Sequence, residues 1–204
     1  MNREEATQAL ELLRRVVTQA RDDTALQNWG LIWMVHAFLN GGGFLATDAL
    51  WARGLREPGP YMLLWGVLLG CNFASIFFMK RGQTAGVRSF IERQIWAIWT
   101  SFIGCMVLVA VLNLLLGLDR LFFPSVACVL FAMAFCGMGA LMGRGWYAMA
   151  ALFGLVSLGM TRVPEHAFGV LGGLWFLVQF CSGLALHRAR IRRIAAEGLG
   201  PRLV

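Results

Sequence analysis

His36, Asn40, Gly43 and Thr47 recur at steps of four, three and four, so a helix through them carries all four on one face. Asp48 follows immediately, and three consecutive glycines, Gly41, Gly42 and Gly43, sit inside the run. The surrounding residues are apolar enough for a bilayer, where polar and ionisable side chains are expensive and turn toward a bundle interior or a wet cavity. A triple glycine is also where a membrane helix can bend or unwind and expose its carbonyls. The chemistry this pattern offers is a polar or transport site made by His36 and Asn40, beside a hinge at Gly41–Gly43, with Asp48 as an outer acidic group. The competing reading is structural, and we prefer it. His36 and Asn40 then hydrogen-bond a neighbouring helix at ~0.6–2 kcal/mol per contact. The glycines allow close approach, and Asp48 pairs with Arg53 or Arg56.

Other chemistry finds no foothold. The chain has no Gly-x-Ser-x-Gly, His-Glu-x-x-His, Walker or dinucleotide-binding motif. Its three histidines, His36, His166 and His187, are not spaced for a metal or a bis-histidine haem. Cys71, Cys105, Cys128, Cys136 and Cys181 all lie in apolar segments without CxxC spacing, so they read as small hydrophobes. No catalytic residue, metal or cofactor is expected. Asn72, Asn113 and Gln179 lie in different segments and act together only if the fold gathers them.

The elements that must position these residues are six apolar stretches, 29–51, 61–79, 95–117, 121–142, 145–161 and 166–187. A helix crossing a ~30 Å hydrocarbon core needs ~20 such residues. Hydrophobic residues make up 58% of the 204, charged residues 14%, and mean hydropathy is +0.65. Those values lie far from soluble averages, so the class is an all-α polytopic membrane protein. Short breaks at Asp119-Arg120, Gly143-Arg144 and residues 162–165 predict a six-transmembrane-helix bundle built from three antiparallel hairpins. Residues 1–28 precede it, and a basic tail, 188–204, follows.

The net charge of +7 is distributed as membrane insertion requires, not as nucleic-acid binding requires. With six spans, Arg53, Arg56, Arg120 and Arg162 fall on one side and every other lysine and arginine on the other. The positive-inside rule then places both termini in the cytoplasm. Residues 1–28 show no secretory signal pattern, and a bacterial inner membrane is the expected location. The basic tail suits anionic headgroups.

Within residues 1–28, Ala6, Leu10, Leu13, Val17 and Ala20 form an apolar stripe on an amphipathic cytoplasmic helix, which either lies on the membrane or docks a partner through Leu10, Leu13 and Val17. Trp29, Trp96, Trp99, Trp146, Trp51 and Tyr61 suit interfacial belts. Gly66, Gly70 and Ala74, and again Gly139 and Gly143, have the small-xxx-small spacing that lets membrane helices approach closely. A cysteine beside small residues near the end of each even-numbered span hints at a threefold hairpin repeat. The functional expectation is a non-catalytic subunit or accessory protein of a membrane complex, with the lipid bilayer and either a protein partner or a second copy as its contacts. The alternative is a small homo-oligomeric transporter or channel using the first span.

Overall fold

A computed structural model describes residues 7–8, 11–12, 28–81 and 90–196. The docking stripe at Leu10, Leu13 and Val17 therefore lies outside the described residues. The described chain is helical, with no strand: α1 (Trp29–Ala52), α2 (Pro58–Lys80), α3 (Phe90–Leu116), α4 (Phe122–Met142), α5 (Gly145–Gly159) and α6 (Ala167–Ala196). Two 3₁₀ turns, Met160–Arg162 and Pro164–His166, join α5 to α6.

Local chemistry sets these boundaries. Pro58 opens α2 at a position whose amide has no helical acceptor. Gly117 (φ 57°) and Gly143 (φ 121°) end α3 and α4 in conformations that a side chain would strain. Val163 is pushed out of the helical region (φ −134°, ψ 53°) by Pro164, and that residue separates the two 3₁₀ turns.

Four segments are long and apolar enough to cross a membrane: Pro58–Met79, Arg93–Leu116, Phe122–Met142 and Pro164–Arg192. The protein is therefore a membrane protein whose described residues are all-helical. Of the remaining two helices, α1 is long, at 24 residues, but diluted by His36, Asn40, Asp48 and its glycines. Helix α5 has only 15 residues, about 22 Å of rise, before the chain tightens into 3₁₀ geometry.

The packing order differs from three sequential hairpins. The most extensive contact joins α1 to α6, the two ends of the bundle, and the next joins α4 to α5. Helices α5 and α6 are adjacent in sequence but not close partners, because the irregular connector carries the chain from α4's neighbour to α1's. Helix α1 runs antiparallel to α6. A side chain at Gly30 would strike Gly183 and His187, one at Gly41 would strike Phe176 and Gly172, and Gly169 lies beside Asp48. By contrast α2 and α3 are peripheral. Only 6% of each of their spans is buried, against 39% for α4 and 33% for the segment containing α6. Their outward residues, Leu63, Phe78, Leu108 and Leu115 among them, are large and apolar, as a lipid-facing surface requires.

The interior is aromatic. Trp33 meets Trp99, Phe135 and Trp146 at ring-centroid distances of 5.5, 6.5 and 5.3 Å. Trp175 lies 4.1 Å from Phe131 and 6.1 Å from both Trp99 and Phe153. Trp29 packs on Trp96 at 5.4 Å. Trp29, Trp96, Trp99 and Trp146, expected in an interfacial belt, thus turn inward and join α1, α3, α4, α5 and α6. The indole serves either place, and here ring-on-ring packing fills the space where the helix backbones stand apart.

Candidate functional site

The polar residues of α1 do not form one site. His36 and Asp48 are twelve residues apart, about 18 Å along a helix, and each is engaged by different partners.

The inner group lies between α1 and α2. Asn40 and Asn72 exchange side-chain amide bonds, Asn72 Nδ2 donating to Asn40 Oδ1 at 2.9 Å and Asn40 Nδ2 to Asn72 Oδ1 at 3.4 Å. Asn72 also donates to the Leu68 carbonyl at 2.9 Å. Ser75 Oγ donates to the Asn72 carbonyl at 2.8 Å, which uses the hydroxyl proton. His36 Nε2, 2.9 Å from Ser75 Oγ and 3.3 Å from the Asn72 carbonyl, then carries the imidazole proton and donates it to Ser75. Asn72 and Ser75 are three apart, so one face of α2 presents both to α1. Sequence reasoning placed Asn72 among scattered polar groups and missed Ser75; their i, i+3 spacing in an otherwise apolar helix was the available signal.

One level outward, Thr47 is buried. Its hydroxyl donates to the Gly43 carbonyl at 2.8 Å and accepts from Trp65 Nε1 at 3.1 Å. Around it the helix runs unbroken through Gly41, Gly42 and Gly43, so the expected interruption is absent. Instead the glycines are notches. Gly41 admits Phe176 and Gly172 of α6, while Gly43 admits Leu68 and Trp65 of α2. Two residues apart on a helix lie about 200° apart, so the two notches serve opposite neighbours. Gly42, between them, faces open space.

The outer group is ionic. Arg120 Nη2, from the turn between α3 and α4, donates to Asp48 Oδ1 at 2.9 Å, with both side chains more than four-fifths buried. His166 Nδ1 lies 3.7 Å from Asp48 Oδ2 on the exposed side. This corrects the expected pairing of Asp48 with Arg53 or Arg56. Arg56 instead lies over the Trp51 ring at 3.9 Å and donates to the Trp51 and Leu55 carbonyls, while Arg120 approaches the same ring at 5.2 Å. The missing side chain at Gly169 leaves room for the carboxylate beside the first turn of α6, where the helix dipole favours negative charge. Asp48 thereby joins α1, the α3–α4 turn and α6.

At the other end Asn28, in a left-handed conformation (φ 59°), donates to the Met79 carbonyl at 3.3 Å and accepts from Arg190, tying α1 to α2 and α6. His166 and His187 sit at opposite ends of the α6 segment, as their spacing required. Among the described residues no three His, Cys, Asp or Glu side chains come together as a metal site.

The small-xxx-small motifs divide. A side chain at Gly139 would meet the Tyr147 ring at 2.9 Å, whereas nothing lies within 4 Å of Gly66 or Gly70. The α2 motif is thus turned away from the rest of the described chain. Comparison with known proteins finds no match to this chain among protein-family models, curated proteins or solved structures.

Proposed function

We propose that this chain is a non-catalytic, multi-pass membrane protein that works by binding, as a subunit or accessory protein of a membrane complex. The observation that carries this reading is the pairing of a satisfied interior with long open faces. The hydrogen-bonding groups of His36, Asn40 and Asn72 are directed at one another and at Ser75. Helices α2 and α3, in contrast, turn nearly their whole length outward. A homo-oligomeric transporter using His36 and Asn40 would need those same groups to meet a substrate.

In this reading all six helices cross a bacterial inner membrane with both termini cytoplasmic, and α1 is a span whose neighbours are mostly protein. Residues 1–28 form the amphipathic docking helix. The bilayer covers whatever part of α2 and α3 a protein partner or second copy leaves free.

The test is the mass of the intact assembly extracted in mild detergent from its native membrane. A stoichiometric complex supports the subunit reading, and Leu13→Glu with Val17→Glu should release the partner while the helices stay inserted. A partner-free species that carries substrate flux, abolished by His36→Ala, refutes it. Cysteine labels beside Arg56 and Arg120 should react from outside, and one beside Arg144 should not; the opposite pattern overturns the orientation.

A further inference from the structure

Helices α5 and α6 part at their irregular connector, and the gap between them is an apolar groove of about 280 Å³ lined by Leu155, Val156, Gly159, Met160, Val163 and Val170. Leu155, Val163 and Val170 are exposed, and a Cβ at Gly159 would meet nothing within 4 Å, so the described chain leaves the space open. Its depth in the bilayer follows from the charges beside it. Arg162, Glu165 and His166 stand exposed at the start of the membrane-crossing segment Pro164–Arg192 and belong at headgroup level. Val170 lies about 6 Å along the helix beyond His166, and Leu155 about 10 Å before Arg162. The groove therefore runs from the polar boundary through the upper part of one leaflet, whose hydrocarbon is ~15 Å deep.

Dimensions and chemistry select the occupant. Spread over about 10 Å, the groove has a cross-section of about 30 Å², whereas a helix about 10 Å across needs about 80 Å². A partner's helix does not enter, and apolar walls hold no water. A single hydrocarbon chain satisfies both limits. Arg162 supplies a polar anchor. It stands in the 3₁₀ turn between the lining residues Met160 and Val163, and its guanidinium makes no ion pair or hydrogen bond with any described residue. Asp48 is held by Arg120 and approached by His166, and Glu165 forms no ion pair with Arg162. A free guanidinium at headgroup level matches a lipid phosphate in charge and in hydrogen-bonding geometry.

We propose that the groove binds one phospholipid, with the upper part of an acyl chain between α5 and α6 and the phosphate on Arg162. Unlike the lipid that coats α2 and α3, this molecule is held at both its chain and its headgroup, so it stays when surrounding lipid is exchanged for detergent. It also accounts for α5 and α6, neighbours in sequence, standing apart at this end: the acyl chain fills the space between them.

Photolabelling of the full chain in mild detergent decides this, with a phospholipid that carries a diazirine in the upper part of one acyl chain. Adducts should concentrate on residues 155–170, and α2 and α3 should carry few. Gly159→Leu fills the groove without strain, because the residue is already in the right-handed helical region (φ −67°) and its surroundings are open. It should abolish those adducts while the melting temperature holds. Arg162→Gln, at the surface, should weaken phospholipid labelling by about fivefold, the effect of one cation at a lipid surface, and Arg162→Lys should restore most of it. Neither change at Arg162 should alter labelling by an uncharged diacylglycerol bearing the same diazirine. Adducts spread evenly over all outward faces, or indifferent to Gly159→Leu, overturn the site. Phospholipid and diacylglycerol labels that respond alike to Arg162→Gln overturn the phosphate contact.

Discussion

Gly30→Ala tests the packing that organises this bundle, because the added methyl would meet only backbone. Its Cβ would lie 2.6 Å from the Gly183 carbonyl oxygen, 2.6 Å from the His187 nitrogen and 2.9 Å from the His187 Cα. Comfortable carbon contacts begin near 3.5 Å, so α6 must retreat by roughly 1 Å. No side chain can rotate to absorb that shift. Overpacking costs about 1–3 kcal/mol, and a rigid backbone neighbour places this site toward the upper end. Exchanging glycine for alanine inside a helix returns about 0.5–1 kcal/mol, leaving a net loss of about 1–2 kcal/mol. Gly42→Ala supplies the control in the same helix, for nothing lies within 4 Å of its would-be Cβ and only the helix-propensity gain should remain. The two variants should therefore differ by about 2–3 kcal/mol, or roughly 5–10 °C in melting temperature for a chain this long. Tryptophan fluorescence in one detergent follows both unfolding curves. Equal stability of Gly30→Ala and Gly42→Ala would refute the claim that α1 and α6 meet backbone to backbone.

Two further perturbations probe the polar groups. Asp48→Asn strands the Arg120 guanidinium, and at four-fifths burial the loss should reach about 2–3 kcal/mol, somewhat under the cost of breaking a fully buried pair. Arg120→Gln should lose a similar amount and the double variant much less than the sum; strict additivity would show that the two side chains do not interact. At the inner level, a double-mutant cycle between Asn40→Ala and Asn72→Ala should give a coupling of about 1 kcal/mol, within the range for interhelical bonds in membranes. Asn72→Ala alone should be the more damaging single change, since Asn72 also donates to the Leu68 carbonyl. A coupling indistinguishable from zero would rule out the reciprocal amide pair.

What the sequence made legible follows from how local each signal is. Apolar length is a property of the segment itself, so the membrane class and the positions of the helices were readable. The role of Gly41–Gly43 was not. In a bilayer a helix keeps its own hydrogen bonds unless protein or trapped water replaces them, and here the glycines are filled by Phe176, Leu68 and Trp65 instead of being unwound. Small-residue spacing showed that Gly66 and Gly70 permit close contact but not with what, and the other described helices do not use them. Tryptophan near a span's end reads alike for a belt and for a core, which is why Trp99 and Trp146 were misplaced. Arg120 was out of reach for another reason. Its partner Asp48 is 72 residues away, and Arg53 and Arg56 stood closer in sequence.

These particulars explain why α1, although long, is not among the four segments apolar enough to cross a membrane. One of its faces is hydrogen-bonded to α2, another is notched for α6, Trp33 reaches the aromatic core, and Asp48 holds the α3–α4 turn. A helix wrapped in protein can carry histidine, asparagine and aspartate where a lipid-facing helix cannot. The residues that first suggest chemistry are thus the ones by which α1 assembles its neighbours. On the proposed subunit reading, the surfaces open to a partner among the described residues are those it does not touch, above all the face of α2 around Gly66 and Gly70 and the outward face of α3.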